Sequence, residues 1–325
     1  MKIVLAPMDG LTDVYARELL TGIGGYDYCV TEFLRVTDTL FPSRVFLRRF
    51  PELKSSYSPI SHTKHGTPIF LQLLGSDINA MAENAAKAVQ LGAKGIDLNF
   101  GCPAKTVNRR NGGASLLQYP EKINQLVKSV RKAVPNNIPV TAKMRLGYDN
   151  QDLAYDNALA IQEGGATWVT IHARTKKEGY RPPAHWDALS PITELLTIPV
   201  IANGEIWSVE DYLSCRQQSG CESIMLGRGA MVTPDLARQI KATLAHESIQ
   251  PLDWSSICHL LEKLYHLMLA NTALKERYIA PRLKLWVKWL MPNYSEAEIL
   301  FPSLKKINDP HRAIQMIKEF PSTFF

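Results

Sequence analysis

Short apolar runs alternate with amphipathic stretches from the start of the chain to about residue 245. Ile3–Ala6, Tyr28–Phe33, Pro68–Leu74, Gly95–Phe100, Pro139–Leu146, Thr167–Ala173, Ile198–Ala202 and Ser223–Leu226 have the length and apolar continuity of strands buried on both faces. The segments near Thr12–Leu20, Asp77–Leu91, Pro120–Val134, Asp152–Glu163, Trp186–Leu196, Val209–Gln218 and Asp235–Leu244 read as helices. Met81, Ala85, Ala88 and Val89 fall at helical spacing, and Thr12 stands where a helix cap is expected. Eight strand and helix units in this order predict an α/β fold, a parallel (β/α)8 TIM barrel.

The alternation stops near His246. The rest of the chain reads as helices over about Trp254–Asn271, Ala280–Met291, Ser295–Phe301 and Pro310–Phe320, so a barrel domain at 1–245 and a small all-helical domain at 246–325 are expected. In the second of these helices Leu283, Trp286, Val287 and Leu290 share one face. Lys284 and Lys288 lie on another, with Lys275, Arg277 and Arg282 upstream, which predicts a basic, Trp-bearing face at or near the surface.

Hydrophobic content of 46% and charged content of 21% are those of an ordinary globular protein, and no run approaches the ~18 apolar residues of a membrane span. The residues before Pro7 are too few for a secretory core, so a cytoplasmic protein is expected, by default a monomer. The cysteines at 29, 102, 215, 221 and 258 show neither CxxC nor Cys/His ligand spacing, which argues against a disulfide framework and a metal site. A net charge of +6 is compatible with a polyanionic partner and does not require one.

Chemistry concentrates after the fourth strand. Pro103 ends that strand, while Gly101 and the Gly112-Gly113 pair let the backbone turn tightly or approach a ligand, so Cys102 is expected at a strand tip. Asp9, Gln72, Asn99, Lys143, Arg145, His172, Asn203, Glu205 and Arg228 also fall near predicted strand ends, where such barrels gather ligand groups. Taken singly, each reads as readily as a satisfied ion pair or rim residue; together they predict one polar mouth. A lysine and an arginine inside one strand call for an anion or an electron-rich ring beside them. Gly227-Arg228-Gly229 after the last strand stands where barrels of this kind hold phosphate.

Leu5-Ala-Pro-Met8, Leu98-Asn-Phe-Gly-Cys-Pro-Ala-Lys105, Asn111-Gly-Gly-Ala114, Lys143 with Arg145, His172–Thr175, Asn203-Gly-Glu205 and Gly227-Arg-Gly229, in order, resemble the tRNA-dihydrouridine synthases. Thr31–Val36, Lys105–Asn108 and Asn203–Trp207 are similar to the bacterial C-type, which acts on uridine 16 of the tRNA D-loop; Phe100 replaces a cysteine expected in that type. The resemblance implies an FMN enzyme, reduced by NADPH or NADH, that reduces the C5–C6 bond of a uridine in tRNA. It implies Cys102 as proton donor, and Pro7, Met8, Asp9, Gln72, Lys143, His172, Asn203, Gly204, Glu205, Gly227 and Arg228 as the FMN site. It implies Asn99 and Arg145 against the uracil, and Arg35, Tyr180, Lys275, Arg277, Arg282, Lys284 and Lys288 against tRNA. Two rival readings are a small-molecule FMN barrel oxidoreductase, of the dihydroorotate dehydrogenase kind, and a barrel that binds RNA without catalysis.

Overall fold

In the computed structural model, which describes residues 1–54 and 56–320, the apolar runs form a sheet of parallel strands. They are β1 (Ile3–Leu5), β2 (Tyr28–Val30), β3 (Leu34–Arg35), β4 (Ile69–Leu74), β5 (Ile96–Phe100), β6 (Val140–Gly147), β7 (Trp168–Thr175), β8 (Val200–Asn203) and β9 (Ser223–Leu226). β1 pairs with β9 on one side and β2 on the other, and β2 in turn pairs with β4, so the ring closes on itself. The predicted TIM barrel is thus found. One expected strand is shorter than its apolar run, and an additional one follows it: Tyr28–Phe33 ends at Val30, and Leu34–Arg35 forms a separate short strand against the end of β4.

Contacts divide the chain into two compact units, one of Met1–Val14, Tyr26–Ile206 and Glu210–Gly227, the other of Tyr15–Gly25, Trp207–Val209 and the chain from Arg228. All nine strands lie in the first. Residues on a strand point alternately into and out of a barrel, and the inward set here is sorted along the axis. At the N-terminal ends of the strands, Tyr28, Phe70 and Trp168 pack ring on ring with centroids 4.6–5.7 Å apart. The Trp168 indole N–H donates to the Tyr28 hydroxyl at 2.7 Å, so this aromatic floor leaves neither polar tip unpaired. Above the floor the inward positions turn polar.

Helices of the barrel unit follow local rules. Asp77 accepts from the N–H of Ala80 and starts Ile78–Gln90; Pro120 opens Pro120–Ala133, whose Ile123, Leu126, Val127 and Val130 are buried at the i, i+3, i+4, i+7 spacing. Thr12 lies two residues before the first helix rather than in it. Its hydroxyl accepts from the Met8 N–H and reaches the Ala6 carbonyl at 3.0 Å, which holds the turn after β1, and the helix begins at Val14.

The second unit contains the helices Trp254–Leu269, Ile279–Leu290, Ser295–Leu304 and Pro310–Glu319, the first and last capped by Asp253 and Asp309. Residues 321–325 of the expected helical domain lie outside the described residues. The expectation of an exposed Trp-bearing face is overturned. Leu283, Trp286, Val287 and Leu290 are fully buried, because the apolar stripe of a helix in a bundle is the face it packs with. Arg282 is buried beside them, and Lys284 is half-buried with its ammonium donating to the Lys305 carbonyl and the Asn308 side chain. Lys275, Arg277 and Lys288 are exposed.

Candidate active site

The polar positions above the aromatic floor form two connected groups within the barrel unit. In the first, Gln72 of β4 and Asp97 of β5 sit side by side in register, and the Gln72 amide N–H donates to Asp97 at 2.7 Å. Asn99, two residues on and so on the same inward face, donates to the Gln72 carbonyl oxygen at 2.8 Å. Its own oxygen accepts from the backbone N–H groups of Gly101 and Cys102 at 3.0 and 2.9 Å. Thr141 of β6 donates to the other Asp97 oxygen at 2.5 Å.

Cys102 is half-buried just past the end of β5. Its carbonyl accepts from the Ala114 N–H and from the Asn108 side chain, and Gly113, at φ +60°, lies so close that a Cβ there would stand 2.9 Å from that oxygen. Burial, with a smaller push from the charge of Asp9, raises the thiol above its ordinary range, against the pull of the Ala104 backbone, Arg145 and Arg35. The group therefore holds its proton through neutral pH.

The second group crosses the barrel from β6. The Lys143 ammonium donates to Asn203 of β8 at 2.9 Å, and Asn203 donates to the Met225 carbonyl of β9 at 2.8 Å. Desolvation, reinforced by the neighbouring Arg145, lowers Lys143 to about 7, with Asp97 and Cys102 acting the other way. Among the described residues no carboxylate lies within ion-pair distance of it. Two residues further along β6, Arg145 is buried and spends its Nε on the Gly101 carbonyl at 2.9 Å and one terminal nitrogen on the carbonyls of Thr175 and Gly179 at 3.0 and 2.8 Å. The exposed Tyr180 ring lies 5.1 Å from its guanidinium.

His172 stands opposite Arg145 in register and beside Asn203. Its Nε2 is 3.3 Å from a terminal nitrogen of Arg174, and since a guanidinium only donates, Nε2 is the acceptor and Nδ1 carries the proton. Arg174, fully buried, is also ion-paired with Glu205. Gly204 has φ +112°, and a Cβ there would lie 2.7 Å from the His172 ring. Gly204→Ala is expected to cost about 1–3 kcal/mol, read as a lowered urea midpoint, through the strained backbone and the displaced imidazole.

Of the remaining expected residues, Pro7 and Met8 are half-buried in the turn after β1, where Asp9 is exposed and paired with Arg49 at 3.1 Å. Arg35, half-buried, donates to the Thr106 carbonyl. Gly227 follows β9 in the barrel unit, while Arg228 belongs to the second unit, its guanidinium 5.0 Å from the Trp207 ring. Asp97, Thr141 and Arg174 were not foreseen. Strand parity is the signal that finds them: Asp97 precedes Asn99 by two, Thr141 precedes Lys143 by two, and Arg174 follows His172 by two.

A parallel barrel with a proton-bearing thiol past the end of β5 and a desolvated lysine and buried arginine on β6 has the architecture of a (β/α)8 protein whose chemistry-bearing groups gather toward the C-terminal ends of its strands. The chain belongs to the dihydrouridine synthase family, whose model matches residues 4–319. It is 48% identical to the tRNA-dihydrouridine(16) synthase of Pseudomonas putida over 98% of this chain and 96% of that one. It is 49% identical to the protein of the same name from Pseudomonas syringae pv. tomato over 96% of both, and 46% identical to that of Shewanella oneidensis over 98% of both. Among solved structures, histamine dehydrogenase from Rhizobium sp. 4-9 superposes with a TM-score of 0.54 at 15% identity over 82% of this chain and 49% of that one. A 2-naphthoyl-CoA reductase superposes with 0.54 at 12% identity over 76% and 50%. The chain spans about half of each, and the likeness is one of fold.

Proposed function

We propose that the protein is an FMN-dependent tRNA-dihydrouridine synthase that reduces the C5–C6 double bond of uridine 16 in the tRNA D-loop, with NADPH as reductant, in the cytoplasm. The observation that carries this reading is Cys102, held protonated at the tip of β5 within electrostatic reach of Lys143 and Arg145, in a chain about half identical to proteins named for that reaction.

The residues present fit a flavin. Lys143 is a desolvated ammonium with one amide acceptor and, among the described residues, no carboxylate within ion-pair distance, which suits the anionic edge of a reduced isoalloxazine; Asn203 reaches it from β8, His172 lies on the neighbouring β7, Gln72 lies on β4 and Gly204 follows β8. Pro7, Met8, Asp9, Glu205, Gly227 and Arg228 complete the proposed FMN set. FMN, when bound, supplies the hydride that goes to C6 of the uracil. Cys102 gives its thiol proton to C5 and retains it until then, because burial disfavours the thiolate. Asn99 keeps its second amide hydrogen for the uracil, and Arg145, whose guanidinium also engages the Tyr180 side chain, supplies a buried cation beside it.

A stacked base cannot enter such a mouth, so the uridine must swing out while the tRNA backbone is held elsewhere. In the helical region from residue 246 the grip is assigned to exposed Lys275, Arg277 and Lys288 and half-buried Lys284; in the barrel unit Arg35 and Tyr180 are assigned to the tRNA. Reversing Lys275, Arg277 and Lys288 to Glu together is expected to weaken tRNA affinity at least about tenfold and flatten its salt dependence, with FMN content unchanged; filter binding across a salt series reads this. The function itself is tested by mapping dihydrouridine in tRNA from cells lacking the protein. Loss of the modification at position 16 alone is expected, and an unchanged map overturns the reading.

A further inference from the structure

Asp97 is buried to 1% exposure in the barrel, and its side-chain hydrogen bonds run to Gln72 and Thr141. Packing does not account for it, since a leucine fills similar volume without the desolvation cost of a carboxylate. What it does have is a place at the end of a polar chain. The backbone N–H groups of Gly101 and Cys102 can only donate, so the Asn99 oxygen must face them and its amino group must face Gln72. The oxygen of Gln72 then faces Asn99, which leaves its amino group needing an acceptor at the far end. Asp97 is that acceptor, and Thr141, donating to its other oxygen, holds it in place.

We infer that Asp97 is a positioning residue for the Cys102 thiol: by accepting from Gln72 it sets the sense of the Gln72 and Asn99 amides, and so seats the backbone amides on which Cys102 is hung. An acceptor at position 97 makes every link donor to acceptor; without one, Gln72 loses the partner that fixes its sense, and the Asn99 oxygen is held toward the loop by the Gly101 and Cys102 N–H groups alone. That Cys102 is the acid rests on the function proposed above, but the seating of its loop does not.

Hydrogen exchange of individual amides, measured on the full chain without tRNA, tests this. In Asp97→Leu, the Gly101 and Cys102 amides are expected to exchange about tenfold faster, the factor carried by one hydrogen bond of ordinary net strength, while Leu98 of β5 and Met144 of the neighbouring β6 keep their protection. The double variant Asp97→Asn, Gln72→Glu moves the carboxylate one link along. The introduced amide donates to the introduced carboxylate and accepts from Thr141, and that carboxylate accepts in turn from Asn99. The double variant is expected to recover the loop protection that Asp97→Leu loses. Unchanged Gly101 and Cys102 exchange in Asp97→Leu overturns the inference, as does a double variant with the loop amides unprotected and the strands intact. Should Asp97→Leu not fold, the double variant decides alone. Because exchange needs neither flavin nor substrate, a protein without synthase activity still answers the question, and an active one with unperturbed exchange refutes only the positioning role.

Discussion

Cys102→Ala is expected to lower kcat for dihydrouridine formation by roughly 10²–10⁴, the range a positioned proton donor contributes, with FMN content and tRNA affinity near those of the parent. The alanine fits the half-buried seat without a clash, and the loop contacts at this position run through the backbone carbonyl and N–H, which the substitution keeps. The pH profile gives a second reading of the same group. Burial lifts the thiol above its ordinary range, so the protonated, active form persists through neutral pH. The parent's rate is therefore expected to stay level across neutrality and to fall only above the ~8.5 of an exposed thiol. Steady-state rates over a pH series measure both; a limb below that range, or an alanine variant with the parent's rate, places the donor elsewhere.

Lys143→Met is expected to remove a pH dependence as well as a charge. In the ligand-free protein Lys143 titrates at about 7, whereas in the unfolded chain it titrates near ~10.4. Between these values the unfolded chain holds a proton that the folded one has released, so stability rises with pH across that window. The parent minus variant difference in unfolding free energy should therefore climb with pH from about 7 toward 10, by an amount on the order of a few kcal/mol. An anion beside the amine restores the proton. FMN affinity of the parent is accordingly expected to weaken by up to about tenfold per pH unit above ~7, and that of Lys143→Met to be weak and flat. Fluorescence titration of FMN at stepped pH decides; a flat parent curve would mean that Lys143 stays charged without the ligand.

The barrel was legible because strands covered on both faces are written as unbroken apolar runs, each followed by its helix. The mouth was legible for the related reason that Lys143, Arg145 and Asn203 interrupt or end such runs. What stayed hidden depended on which residues meet across strands. Asp97 in Ile96–Phe100 looks like one more polar residue in a strand, and only the register with β4 shows that it meets Gln72. Arg145 reads as a free charge until its carbonyl partners, thirty and more residues away, are in place. In the C-terminal helices the period was right and the sidedness was not: spacing groups Leu283, Trp286 and Val287 on one face, but whether that face meets solvent or a neighbouring helix is decided by the bundle.

The Arg145 guanidinium latches two separate stretches of chain, the one bearing the sulfur through Gly101 and the one bearing Tyr180 through Thr175 and Gly179. Drawing the two apart breaks several charge-assisted bonds at once, each stronger than a neutral one, and strands a buried cation. The two stretches, which follow the strands on either side of β6, are therefore tied to one another through one side chain.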